Sequence, residues 1–113
     1  MQIQMQAFVR KGRGGGSPQS LRTLVAQDLN RGKHEPLYVE EFKDLERSPG
    51  WAKIKARAIP GAINLEWDGS QRMLTARAIA KMGNRPHTLM AIFLAYLLDR
   101  HGRRLTSINL QLT

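Results

Sequence analysis

Lys53, Lys55 and Arg57 recur at every second position behind Trp51. On a strand, alternate side chains share a face about 6.6 Å apart, so three cations at this spacing can track a phosphodiester backbone. Trp51 at the head of the row could stack a base. The same alternation also describes a solvated sheet face, or an edge strand blunted by charge. A second basic element is the loop Lys11-Gly12-Arg13-Gly14-Gly15-Gly16-Ser17. Backbone N–H groups of a glycine loop ahead of a helix can cradle phosphate, with Lys11 and Arg13 adding charge. The P-loop spacing and the dinucleotide Gly-x-Gly-x-x-Gly spacing are both missing, which leaves a flexible basic loop as the simpler account. Arg72, Arg77, Lys81 and Arg85 form a third set, and Arg100, Arg103 and Arg104 follow the last helical segment. Cations in that last position complement a helix dipole and have a structural reason to be there.

Acid–base and metal chemistry find less support. His34, His87 and His101 are isolated, without His-x-x-x-His or His-x-Glu spacing. His87 stands near Arg85 at a helix start and could act as acid or base, although a first-turn residue needs no catalytic role. No serine lies in a nucleophile-elbow pattern. Asp68 suits its turn, and Glu66 two residues before it makes a weak carboxylate pair. No metal and no cofactor is expected.

The balance of charge points the same way as the cation clusters. Eighteen Lys and Arg stand against nine Asp and Glu, a formal charge of +9. Five of the acids, Glu35, Glu40, Glu41, Asp44 and Glu46, gather in one stretch. Such a chain attracts polyanions and carries an acidic patch of its own. Its 113 residues, 42% of them hydrophobic, suit one domain (1–113) with one core. Cysteine is absent, which excludes disulfides, thiolate zinc sites and cysteine nucleophiles. The longest apolar stretch, 89–98, is far short of the ~20 residues that span a bilayer. A cytoplasmic protein with no membrane contact is expected.

The elements that position these residues follow from periodicity. Ile3, Met5, Ala7 and Val9 alternate with polar residues and predict a strand over 2–10. Ser17-Pro18 starts a helix carrying Leu21, Leu24, Val25 and Leu29, with Gly32 as its stop. Pro36 opens a second helix, with Val39, Phe42 and Leu45 on one side and Glu40, Glu41 and Asp44 facing water. Residues 51–59 read as a strand with Ala52, Ile54, Ala56 and Ala58 inward; a helix with Trp51, Ile54 and Ala58 on one face is the alternative. Ile63, Leu65 and Trp67 turn through Asp68-Gly69-Ser70-Gln71 into a returning strand, Arg72 to Ala80, with Trp67 opposite Arg72. Pro86 opens a helix to about His101, apolar on most sides and hence central, with Ala91 and Ala95 as a small-residue seam. A last strand runs from Leu105 to Leu112, with Ile108, Leu110 and Leu112 inward. The order β-α-α-β-β-β-α-β predicts an α+β fold. It has a mixed, mostly antiparallel sheet of about 4–5 strands with three helices on one face.

The opening β-α-α order, followed by strands bearing Lys53, Lys55, Arg57, Arg72 and Arg77, resembles the layout of RelE-type toxins. These are small, basic, ribosome-dependent endoribonucleases. The resemblance rests on element order and charge, and it implies RNA as the substrate, without matching any catalytic residue. The apolar helix from Pro86 and the strand after it depart from that layout.

Three readings follow. The first is a non-enzymatic nucleic-acid-binding or accessory protein that engages RNA or DNA through Lys11, Arg13, Trp51, Lys53, Lys55, Arg57, Arg72 and Arg77. The second is a homo-oligomeric interaction module, a homodimer that buries surplus apolar helix surface and has no nucleic-acid role. The third is a RelE-like endoribonuclease, with Lys and Arg stabilising phosphoryl transfer.

Overall fold

A computed structural model describes residues 2–11, 20–43, 51–79 and 85–112, with backbone alone at 41–43, 51 and 79. Its elements are β1 (Gln2–Val9), α1 (Leu21–Asn30), β2 (Leu37–Lys43), β3 (Trp51–Ala56), β4 (Ala62–Asp68), β5 (Met73–Ile79), α2 (Pro86–His101) and β6 (Leu105–Leu112). A 3₁₀ turn, Gly102–Arg104, joins α2 to β6. The six strands form one sheet in the order β2-β3-β4-β5-β1-β6, and every neighbouring pair is antiparallel. The architecture is α+β, as expected, but with six strands and two helices among the described residues.

β1, β3, β4 and β5 bury alternate residues under the helices. Met5, Ala7, Ala52, Ile54, Ile63, Leu65, Leu74, Ala76 and Ala78 form one cluster with Leu21 and Val25 of α1 and with Leu89, Phe93, Tyr96 and Leu97 of α2. Full burial of a ring such as that of Phe93 contributes about 2–3 kcal/mol. α1 covers β2, β3 and β4, while α2 covers β4, β5 and β1. Ser20 caps α1 by accepting from the Thr23 N–H at 3.3 Å, and Gly32 leaves it with φ +69°. The expected start at Ser17-Pro18 lies outside the described residues. α2 has Pro86 in its first turn and buries one side, not most of its circumference. Ala91 and Ala95 face solvent, and Leu98 is 50% exposed.

Three further expectations change. The predicted helix after Pro36 is the strand β2, paired with β3 along its length. Its opening is therefore β-α-β, and the β-α-α order behind the resemblance to RelE-type toxins is lost. The β4–β5 hairpin pairs Trp67 with Leu74, Leu65 with Ala76 and Ile63 with Ala78. That is a shift of two residues from the predicted register, and it keeps every side chain on its predicted face because strand side chains have period two. Asp68 holds the longer loop: its Oδ1 accepts from the Ser70 hydroxyl at 2.6 Å, the Ser70 N–H at 3.0 Å and the Gln71 N–H at 3.2 Å. The Ser70 hydroxyl, then the Gln71 N–H, keep this carboxyl below its ordinary pKa. Last, Leu110 and Leu112 of β6 stand on the helix side, opposite Met5 and Ile3, yet they are 52% and 69% exposed. The core expected over them is missing because α2 packs over β5, β1 and β4. Residues 51–56 are a strand, as favoured, and no described helix is long and apolar enough to cross a membrane.

Candidate nucleic-acid interface

The sheet face away from the helices is polar. Register places Lys53, Asn64, Arg77, Gln4 and Gln111 in one row across five strands, with Glu66, Thr75, Gln6 and Asn109 in the next row. Arg77 Nε donates to Gln4 Oε1 at 3.1 Å. A depression of about 400 Å³ lies here, lined by Gln4, Gln6, Glu66, Asp68, Thr75 and Arg77 among others. Charge on this face is mixed, since Lys55 Nζ pairs with Glu40 Oε2 at 3.2 Å. Both partners are partly exposed, so this pair adds little stability, ~0–1 kcal/mol. Arg57, just past β3, is committed locally. Its Nε donates to the Glu35 carbonyl at 2.8 Å, and its guanidinium lies 5.0 Å from the Tyr38 ring centre.

A second cationic group forms where β5, β1 and β6 meet at one end of the sheet. The Val9 N–H donates to the Arg72 carbonyl at 2.8 Å, and Arg72 Nε returns a bond to the Val9 carbonyl at 3.2 Å. On the other flank, the Arg10 N–H donates to the Arg104 carbonyl at 2.7 Å, and Arg10 Nε donates to the Arg103 carbonyl at 3.2 Å. Lys11 follows, exposed. Arg10, Lys11, Arg72, Arg103 and Arg104 thus converge, although they come from three distant parts of the chain. Among the described residues none of the five makes an ion pair. Phe8 and Met73, paired and partly exposed, lie on the open face beside this group.

A third polar group joins the helices. Asp28 of α1 meets Tyr96, Arg100 and His101 of α2. Tyr96 Oη donates to Asp28 Oδ2 at 3.0 Å, His101 Nε2 lies 2.8 Å from the same oxygen, and Arg100 Nη2 donates to Oδ1 at 3.4 Å. Burial works against ionisation of Asp28, but the bonds from Arg100, Tyr96 and His101 prevail and hold its pKa below the ordinary value. Burial drives the His101 pKa down; Asp28 opposes this, while Arg104 and Arg100 add to it. His101 is therefore neutral at pH 7, with its proton on Nε2 facing Asp28. Burial, helped by Asp28, pushes the Tyr96 hydroxyl far above its ordinary pKa. The residues are those of an acid–base site, but His101 is 6% exposed and Tyr96 is fully buried. The group fastens α1 to α2.

The predicted site residues therefore separate. Lys53, Lys55 and Arg77 share the open face, Lys11 and Arg72 belong to the strand-end group, and Arg57 is held by the 35–38 segment. Arg13 lies outside the described residues, as does the Trp51 side chain, although Trp51 opens β3. Arg72 immediately precedes β5 and Arg77 lies toward its far end, and they serve different groups. Sequence reasoning missed Arg10 as a member, and it assigned Arg103 and Arg104 to a helix terminus. Only the pairing of β1 with β6 brings them together, and no local pattern records that. It also missed Asp28 as the partner of His101, which stands 73 positions away. Among the described residues no group of three or more metal-ligating side chains occurs. In comparisons with protein-family models, curated proteins and solved structures, the chain matches none.

Proposed function

We propose that this protein binds single-stranded nucleic acid without catalysing a reaction on it. The observation that carries this reading is the convergence of Arg10, Lys11, Arg72, Arg103 and Arg104 at one end of the sheet, with no ion pair among the described residues. Cations left without carboxylate partners keep their full attraction for a polyanion. Phe8 offers a ring beside them on which a base can stack. The amides of Gln4, Gln6, Asn64, Asn109 and Gln111 supply donors and acceptors along the open face, suited to the exposed edges of unpaired bases. Lys53 and Arg77 flank Asn64 and give the strand a second phosphate contact. The path therefore runs from the strand-end group across the open face.

Fluorescence anisotropy with short labelled single-stranded RNA and DNA tests the proposal. Affinity should fall steeply with salt, with a log–log slope of roughly −0.7 per phosphate neutralised. Absence of binding at low salt would remove the reading. Cleavage of the RNA during the titration would replace it with a nuclease. Comparing RNA with DNA of the same sequence measures how far the 2′-hydroxyl contributes.

A further inference from the structure

The two edges of the sheet are built differently. β2 carries Glu40 and Glu41, and its register slips between Val39 and Glu41, where the extra residue forms a bulge. Charge and a bulge are the usual means by which an edge strand avoids pairing with another chain. β6 has neither device on the stretch that matters. Leu105 to Leu112 contains no charged side chain and no proline, and its pairing with β1 is regular from Ser107 onward. Its outer row of backbone N–H and C=O groups faces no other strand of the sheet. Leu110 and Leu112, 52% and 69% exposed, extend the core face beyond the reach of α2. Among the described residues nothing covers them.

We infer that β6 pairs antiparallel with β6 of a second copy of this chain, about a two-fold axis near Asn109, to give a continuous twelve-stranded sheet. Charge singles out this edge as the place where two copies can meet. Two chains of formal charge +9 repel each other over most approaches, whereas this edge is neutral along its whole length. An antiparallel two-fold also sends the two Arg103–Arg104 pairs in opposite directions. With Asn109 opposite Asn109, Arg104 of one copy lies roughly 34 Å from its counterpart along the strands, at about 3.4 Å per residue. That exceeds the Debye length of about 8 Å at physiological salt, so the repulsion is screened.

The register is self-complementary. It sets Leu110 opposite Ile108 of the partner subunit on the helix side, and Asn109 and Gln111 opposite amide and hydroxyl side chains on the open side. The two-fold axis stands perpendicular to the sheet, so both helix layers fall on one side and both polar faces on the other. The pairing does not depend on nucleic-acid binding.

The absence of cysteine makes a direct test available. In Asn109→Cys the single thiol should meet its own copy across the axis, where opposing Cβ atoms lie about 4.5–5.5 Å apart. Mild oxidation should convert it to a covalent dimer at concentrations where Ser70→Cys, on the exposed β4–β5 loop, stays monomeric. Leu110→Lys with Leu112→Lys should raise the dissociation constant at least tenfold by sedimentation equilibrium, with an unchanged circular dichroism spectrum. A wild-type monomer across the accessible concentration range would overturn the inference. So would a dimer that survives the lysine pair, or one in which Asn109→Cys does not cross-link. If the lysine pair fails to fold, the thiol variants alone decide the matter.

Discussion

His101 and Arg103 are two residues apart, and their surroundings could hardly differ more. His101 lies inside the knot formed by Asp28, Tyr96 and Arg100, where its Nε2, the Tyr96 hydroxyl and the Arg100 guanidinium all meet the Asp28 carboxylate, and only the buried His101 Nδ1 is left without a hydrogen-bond partner in the knot. Arg103 and Arg104 lie in the turn after it, where the backbone is bonded to Arg10 and the side chains are exposed. The residue types of the knot are those usually sought in an active site. The residue types of the turn are ordinary surface cations. Partnering reverses the impression, since a matched buried group stabilises the fold while an unmatched exposed charge is left to attract a ligand.

The largest effect expected of this contrast is on the knot. Asp28→Ala leaves Tyr96 and His101 without their common acceptor in a nearly dry place, and it should cost about 3 kcal/mol in urea unfolding. Nucleic-acid affinity of the folded protein should stay the same, and a parallel loss of affinity would dissolve the contrast. The converse substitution, Arg103→Ala with Arg104→Ala, should weaken binding roughly tenfold and flatten the salt dependence. The urea midpoint should hold, because the carbonyls of these residues, not their side chains, bond Arg10.

Acid should act first on the knot. The folded-state pKa of His101 lies below 6.5, so the unfolded chain takes up that proton first. The His101 contribution is complete above pH 6.5 and is lost as the pH falls from there through the folded value. Asp28, also depressed, adds a second loss as the pH falls below 3.8. The urea midpoint should therefore decline from near neutrality downward, and His101→Gln should flatten the first part. A flat profile in the native protein would mean that the fold leaves the His101 pKa unshifted, and a midpoint that rises on acidification would mean that the fold favours its charged form. The smallest effect belongs to Arg72→Gly. Arg72 has φ +52°, where glycine gains roughly 1 kcal/mol, and the lost bond to Val9 costs about as much. Stability should be nearly unchanged while affinity falls.

Much of the framework was legible in the sequence because period two survives wherever one face of a strand is buried. β1, β4 and β5 keep clean alternation, and α2 announces itself through Pro86 and its apolar stripe. β2 was misread for a specific reason. Its bulge falls between Val39 and Glu41, so the apolar residues Val39 and Phe42 stand three positions apart instead of two, and a spacing of three is also a helical one. The inward face of β6 was read correctly, but whether anything covers a face is a property of neighbours. The same applies to the cations. Arg10 and Arg104 look unrelated until β1 and β6 are paired, and Asp28 gives no sign of a distant histidine.

The position of β1 in the sheet has a consequence for how the chain is made. This strand lies between β5 and β6, so every one of its ladder partners is synthesised at least 63 residues later, as in the Val9–Arg72 bond. One of its edges stays open until β5 is made and the other until β6 is, and its inward face of Ile3, Met5, Ala7 and Val9 stays uncovered until α2 is made. Contacts of such sequence separation slow folding and lengthen exposure to aggregation. The glutamines at positions 2, 4 and 6, which keep the outward side of β1 polar, also make that waiting strand less adhesive.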